Sequence, residues 1–405
     1  MKQKIVLAFS GGLDTTYCLY DLINKGYEVH SVFVNAGGIS DEEITQIQQK
    51  ALKIGATKHY SFDIQHDVWN GFVKPLVWSH ARMNNEYPLL CSDRYMIVKK
   101  CLELCDELKT DLFAHGCTAM GNDQFRFDQT VKSLGDYTII APIRDLQEEV
   151  SAVRDYEIEK LNEAGIEIAQ QHKNYSINEN MLGVTISGGS IDQFQQPGED
   201  SWHWLKSAKD WPKKPLTIKI GFEKGVAVSI NGEKLDGVSI INYLNEELSE
   251  YGVGRHIYTG DVSIGLKGRI VFECPAIDAL ITAHQAIQDA VNSKFQNQFK
   301  DVIANRWAEL VYYGYFHDPH KTDLESYLKS SQKFIDGEVT LYTEGATITA
   351  VAIDSDYIVK DDKSVYAQSC NWSPADAIGF IKLAGQASTL VNSVRRRNAN
   401  AQSNS

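Results

Sequence analysis

The 405-residue chain predicts an α/β fold, a doubly wound parallel sheet at the N-terminus joined to a second α+β domain. Three observations carry that expectation. Short β-rich runs alternate with helical periodicity over the first 165 residues, a glycine-rich turn separates the first run from the first helix, and hairpin signals replace the alternation after about residue 215.

Residues 4–9 (KIVLAF) read as the first strand, and 15–24 (TTYCLYDLIN) have helical spacing that stops at Lys25-Gly26. A second strand follows at 28–34 (EVHSVFV), a second helix at 41–54 ending at Gly55, and a third strand at 59–63. Alternation at this spacing implies parallel strands with helices on both faces. A helix over 95–109 and strands at 111–115 and 137–141 complete a first domain, placed at residues 1–165. Residues 193–215 mix Gln, Pro, Trp and Lys without periodicity and read as an irregular crossing. Strands at 216–222 and 226–230, with the tight-turn signal Asn231-Gly232, make the following half antiparallel. Helices are expected at 277–292, 297–313 and 323–329, and strands at 337–343 and 346–353, within a second domain over 166–370. Ser373-Pro374 supplies an N-cap and a first helical residue for a C-terminal helix over 371–397, followed by a disordered polar tail at 398–405.

Composition narrows the function classes. Hydrophobic residues at 43% and charged residues at 23% fit a soluble globular chain, and a net charge of -13 argues against a broad nucleic-acid surface. No run approaches the roughly 20 apolar residues of a membrane span. The seven cysteines are odd in number and scattered, with no C-x-x-C pair and no His at zinc-finger spacing, which fits reduced thiols in a cytoplasm.

The stretch "AFSGGLDTTYC" carries the chemistry. A glycine turn between strand and helix offers backbone N–H groups and the positive end of a helix dipole to an anion. It lacks the lysine of a Walker loop and does not fit G-x-G-x-x-G. Ser10, Thr15 and Thr16 supply hydroxyls, Gly11 and Gly12 allow close approach, and Asp14 can hold Mg²⁺. Such a cradle grips a departing pyrophosphate and directs attack to the α-phosphorus of ATP, giving an adenylate.

The motif resembles that of the pyrophosphatase-loop ATP enzymes of the adenine nucleotide alpha hydrolase-like fold. With "VFVNAGG", "HGCTAMGNDQFRFD", "APIRD", "YSINENMLG", "GVGRHI" and "GLKGRIVFECPA", the chain is similar to the argininosuccinate synthase family across nearly its whole length. That resemblance implies a ligase of arginine biosynthesis that joins citrulline to aspartate through a citrullyl-adenylate, releasing AMP and pyrophosphate. It places ATP on Ala8, Phe9, Ser10, Gly11, Gly12, Leu13, Asp14, Thr15 and Thr16, with Mg²⁺ on Asp14, the adenine near Ala36, and Gly116 closing over the nucleotide. Thr118, Asn122 and Asp123 take the aspartate substrate, and Asn122 and Arg126 reach the citrulline. Tyr87, Ser92, Ser176 and Thr185 match further substrate contacts, and Asp14, Asp123 and Arg126 are the candidate catalytic residues. The family's C-terminal helix implies a homotetramer.

Three positions depart from the family pattern. Met120 stands where a lysine is usual, so a cation on the phosphates has to come from elsewhere, Arg94, Arg126 or Lys173 being candidates. Gly260 and Phe272 stand where the family often has an acidic residue and a tyrosine, so Asp261, or Glu273 after Phe272, is expected to supply a carboxylate from a shifted position. A ligase that joins aspartate to a different ureido or amide compound is therefore the first alternative. A tRNA-modifying adenylating enzyme is disfavoured by the acidity and the scattered cysteines, and a non-catalytic nucleotide binder by the pairing of Asp14 with Asp123.

Overall fold

The computed structural model describes residues 2–166, 175–366 and 368–403. Five parallel strands form the first sheet: β1 (Lys4–Ala8), β2 (Glu28–Asn35), β3 (Lys58–Asp63), β4 (Leu112–Ala114) and β5 (Thr138–Ile140), in the order β3-β2-β1-β4-β5. Ile5, Val6, Leu7 and Ala8 of β1 are all buried, as a strand covered on both faces requires. The winding reverses between β1 and β4, and the crevice at their C-terminal ends is where such sheets receive ligands.

The second half holds two antiparallel sheets. One has the order β11-β12-β7-β6, built from β6 (Tyr175–Asn180), β7 (Gly183–Gly188), β11 (Arg255–Asp261) and β12 (Lys267–Glu273). The other has the order β10-β9-β8-β13-β14, built from β8 (Leu216–Glu223), β9 (Val226–Ile230), β10 (Glu233–Lys234), β13 (Gly337–Gly345) and β14 (Thr347–Asp354). An apolar core runs without interruption from Val6 and Phe72 through Phe272 and Leu280 to Leu341, so residues up to Tyr357 make one compact unit. Ile358–Ser405 makes another. In it, two helices, Pro374–Ala384 and Gln386–Ser403, stand where one helix and a disordered tail were expected. Gly385 marks the break between them, and the arginines and alanines beyond Val394 are strong enough helix formers to carry the second past residue 397. Among the described residues no helix is long and apolar enough to cross a membrane, and none of the seven cysteines is disulfide-bonded.

A buried polar chain crosses the core of the larger unit. The Gln332 carbonyl accepts from His284 Nε2 at 2.7 Å, His284 Nδ1 accepts from His80 Nε2 at 2.7 Å, and His80 Nδ1 accepts from Lys300 Nζ at 2.5 Å. This order requires both imidazoles to be neutral. Burial accordingly lowers His284 to about 3 and His80 well below its ordinary value, and it lowers His59 and His317 to about 4 each. Such groups take up protons on unfolding below pH 6.5, so their contribution is present above that pH and lost as pH falls toward 4. Burial lowers His115 in the same way, while Glu157, raised by burial to about 8, His203, raised by Glu179, and Asp14 and Asp93, raised by burial, act in the opposite direction. Stability by urea titration is expected to fall between pH 6.5 and 5, with a slope on the order of 1.4 kcal/mol per pH unit for each net proton taken up on unfolding. A flat profile would contradict neutral burial of these histidines.

Candidate active site

The loop after β1 folds as its glycines permit. Gly11 has φ +78°, and a Cβ there would lie 3.1 Å from Ile47 Cγ1. Gly12 caps the Leu13–Asn24 helix without side-chain help, so the first backbone N–H groups of the helix are left for a ligand. Ser10 Oγ and Thr15 Oγ1 stand 3.2 Å apart, and Thr16 Oγ1 donates to the Gly11 carbonyl at 3.3 Å. Gly116, just beyond β4, lies against this turn, since a Cβ there would come 3.2 Å from Thr15 Cγ2. The loops of β1 and β4 thus meet at the switch point. Ala8 and Phe9 are buried beneath them, and Leu13 is half-buried.

Asp14 lies in the first helical turn, where burial pushes its carboxyl up against the opposing pull of the Arg154 guanidinium. Glu157 faces it from the Val153–Glu163 helix; it is 1% exposed and its Oε1 has no hydrogen-bond partner among the described residues. Two desolvated carboxyl groups side by side suit a cation.

Lys50 stands beside the loop, its Nζ donating to the Gly11 carbonyl at 2.6 Å. It shares the loop-facing side of the Asp41–Ile54 helix with Ile47, one turn earlier. Arg94 and Arg126, expected to assist the phosphates, are both engaged elsewhere, and Lys173 lies outside the described residues. Arg94 Nε and Arg126 Nη1 donate to opposite oxygens of Asp123 at 3.3 and 2.8 Å. Arg94 also holds the buried Asp93 at 2.8 Å and Asn178 at 2.6 Å, and Arg126 reaches the Tyr312 carbonyl at 3.2 Å. Burial would raise Asp123, but the two guanidiniums outweigh it and hold its carboxyl below the usual carboxylate range. Met120 is exposed, Thr118 Oγ1 accepts from the Met120 N–H at 3.4 Å, and Asn122 Oδ1 accepts from the N–H and hydroxyl of Ser263 at 2.7 and 2.9 Å. The Asn122 amide nitrogen remains a donor.

The second domain roofs this crevice. Gly37 has φ +87° and a Cβ there would lie 2.7 Å from Met181 Cβ, so the loop after β2 and the β6–β7 turn meet backbone to backbone. Ala36 is buried in that junction and its carbonyl accepts from the Met181 N–H at 2.9 Å. Asn178, Thr185, Phe272 and His256 are register partners across β6, β7, β12 and β11. Thr185 Oγ1 is buried and makes no close hydrogen bond among the described residues, its polar neighbour being the Tyr87 hydroxyl. Around it Tyr87 stacks on Tyr258 at 5.3 Å and meets Phe272 edge-on at 5.3 Å. Ser92 is buried with its hydroxyl donating to the Leu89 carbonyl at 2.7 Å, whereas Ser176 is exposed one pleat from Asn178. His115, just past β4, is buried: Nδ1 accepts from the Cys117 N–H at 3.2 Å, so Nε2 donates to Asp128 at 3.0 Å.

Neither carboxylate expected from a shifted position enters the pocket. Asp261 is paired with Lys267 at 2.7 Å on the exposed strand end. Glu273, one residue past Phe272, points to the opposite sheet face, where its oxygens accept from the N–H groups of His203, Trp204 and Leu205 at 3.0, 2.9 and 3.1 Å. The space above Gly260 is filled by the Tyr258 hydroxyl, with which a Cβ at 260 would collide; Asn84 Nδ2 donates to that hydroxyl at 3.1 Å. Lys50, Asn178 and Tyr258 are the functional candidates that the motifs did not reveal.

A doubly wound sheet with a lysine-free glycine loop at its switch point, roofed by a second domain that brings amide, hydroxyl and phenol groups to the guanidiniums of the first, defines a nucleotide-binding α/β protein of the pyrophosphatase-loop class. The descriptions "Arginosuccinate synthase N-terminal HUP domain" and "Arginosuccinate synthase C-terminal domain" match residues 4–167 and 175–391. The chain is 50% identical over 394 residues to the argininosuccinate synthase of Xanthomonas campestris pv. campestris, covering 97% of this chain and 99% of that one. It is equally similar, 50% over 394 residues, to the argininosuccinate synthase of Xylella fastidiosa, with 97% and 98% covered. To the argininosuccinate synthase of Methanocaldococcus jannaschii it is 36% identical over 401 residues, with 98% and 100% covered. The chain belongs to the argininosuccinate synthase family.

Proposed function

We propose that the chain condenses L-citrulline with L-aspartate at the expense of ATP, giving argininosuccinate, AMP and pyrophosphate as a cytoplasmic ligase of arginine biosynthesis. The observation that carries this reading is the pairing of two half-sites, the glycine loop with Lys50 and the Arg94–Asp123–Arg126 cluster with the buried Thr185 hydroxyl beside Tyr87. In the first step the citrulline ureido oxygen attacks the α-phosphorus and the bond to pyrophosphate breaks. The loop N–H groups and Lys50 hold the departing group. In the second step the aspartate amine attacks the activated carbon, losing a proton as AMP leaves. Asp123, kept ionised by its two guanidiniums, receives the amino acid's ammonium before attack, and Asn122 orients its partner. Thr185 Oγ1, Asn178 and the Tyr87–Tyr258 pair take the citrulline side. Mg²⁺, carried by ATP, suits Asp14 with Glu157 behind it and would neutralise charge on the triphosphate. Exposed Ile378, Phe380, Ile381 and Leu383 on the Pro374–Ala384 helix suit burial against neighbouring subunits in a homotetramer.

The test is product analysis. AMP formation is expected to require citrulline and aspartate together; a panel of ureido and amide compounds replacing citrulline with equal efficiency would reject the assignment of this acceptor. Gly260→Ala pushes Tyr258 aside, so the KM for citrulline is expected to rise on the order of tenfold with little change for ATP. An unchanged KM would remove Tyr258 from the pocket.

A further inference from the structure

We propose that His256, Cys274 and Asp278 bind one divalent transition-metal ion, zinc by the chemistry of the donors, behind the aromatic wall of the substrate pocket. Cys274 immediately precedes the Pro275–Val291 helix, Asp278 lies in its first turn, and His256 stands on β11 beside Phe272 of β12. One ligand atom from each, a ring nitrogen, Sγ and a carboxylate oxygen, lies within 4.8 Å of the others. Donors 2.0–2.3 Å from a tetrahedral zinc stand roughly 3.3–3.8 Å apart, so the cluster needs only to open at the 2.5 Å His256–Asp278 contact and close at the thiol.

The donor set is mixed nitrogen, sulfur and oxygen, which suits zinc or cobalt and disfavours magnesium and calcium. Three protein ligands leave a fourth position for water. The surrounding shell already orients two of them. Arg82 Nη2 donates to Asp278 Oδ1 at 2.9 Å and leaves Oδ2 on the His256 side, and Phe272 stacks on the His256 ring at 5.0 Å with 23° between planes. His256 is 35% exposed at its side chain while Cys274 is fully buried, so an ion enters past the imidazole and meets the thiol last. A thiolate and a carboxylate together neutralise a dication, which removes the cost of a charged sulfur in a buried position. The ion-free arrangement, a His256–Asp278–Arg82 hydrogen-bonded cluster beside the thiol, is the competing state. Sequence spacing hides the set because His256 comes from a different strand.

The full-length chain, stripped with chelator under reducing conditions, is titrated with Co²⁺. One equivalent is expected to bind with a near-ultraviolet thiolate-to-cobalt charge-transfer band that one equivalent of Zn²⁺ displaces. Cys274→Ser is expected to abolish the band, His256→Ala, at a half-exposed position, to weaken binding more than tenfold, and Cys370→Ser, at an exposed thiol, to leave it intact. Absence of the band in the unmodified chain, or its survival in Cys274→Ser, would overturn the assignment and leave the hydrogen-bonded cluster as the resting state.

Discussion

Asp14→Asn is expected to lower turnover by at least about a hundredfold, the loss typical of removing one preorganised charge from a reacting phosphate. The same change is expected to leave the fold as stable as before or slightly more so. Asp14 is desolvated and its carboxyl is already pushed up, with a second buried carboxyl, Glu157, facing it. A neutral amide of the same shape relieves that crowding. Activity and stability thus move independently, and this separates a ligand-binding carboxylate from one that merely caps a helix. Steady-state AMP release and a urea midpoint measured on the same preparation decide the matter. Retained turnover would remove Asp14 from the nucleotide site.

Glu273→Ala is expected to destabilise the chain by about 3–5 kcal/mol, because three backbone N–H groups lose a charged acceptor at once. Glu273 is fully buried, so water cannot replace it without opening the segment that crosses from β7 to β8. β12 carries Phe272 on its pocket face, so the surviving folded fraction is also expected to bind citrulline less well. Glu273→Gln keeps two lone pairs on one oxygen and is expected to recover part of the loss. Equal stability of the alanine variant and the parent would show that the 203–205 turn is held by something other than this carboxylate.

How far the molecule is legible from its residues depends on how local the determinants are. The β1–loop–helix unit is legible because apolar run, glycines and helical period fall within about twenty residues. β6 and β7 are not, because "YSINENMLGVTISGG" alternates polar and small residues and owes its strand form to pairing with β12 and to the contact of Gly37 with Met181. The helix beginning at Asn122 is hidden for a related reason. Its N-cap is Gly121 and its first polar residues are occupied by Ser263, Arg94 and Arg126, so they read as a turn. In the site, Gly116 meets Thr15 and Asp123 meets Arg126, while Ser92 is spent on the Leu89 carbonyl and Ser176 is exposed. What escaped is what the tertiary structure alone brings in: Lys50 from a helix thirty-odd residues beyond the loop, and the Tyr258 hydroxyl in the room that Gly260 leaves. Strand parity explains the error at Glu273, since neighbouring residues on β12 face opposite sides.

The central claim is that the loop at Ser10–Thr16 holds pyrophosphate as leaving group while a ureido oxygen attacks the α-phosphorus. Citrulline labelled with ¹⁸O in its ureido group, incubated with the full chain, ATP and aspartate, tests this in one turnover by mass analysis of the nucleotide. The account predicts one ¹⁸O in the phosphate of AMP and none in pyrophosphate; unlabelled AMP, or ADP as the nucleotide product, would contradict it.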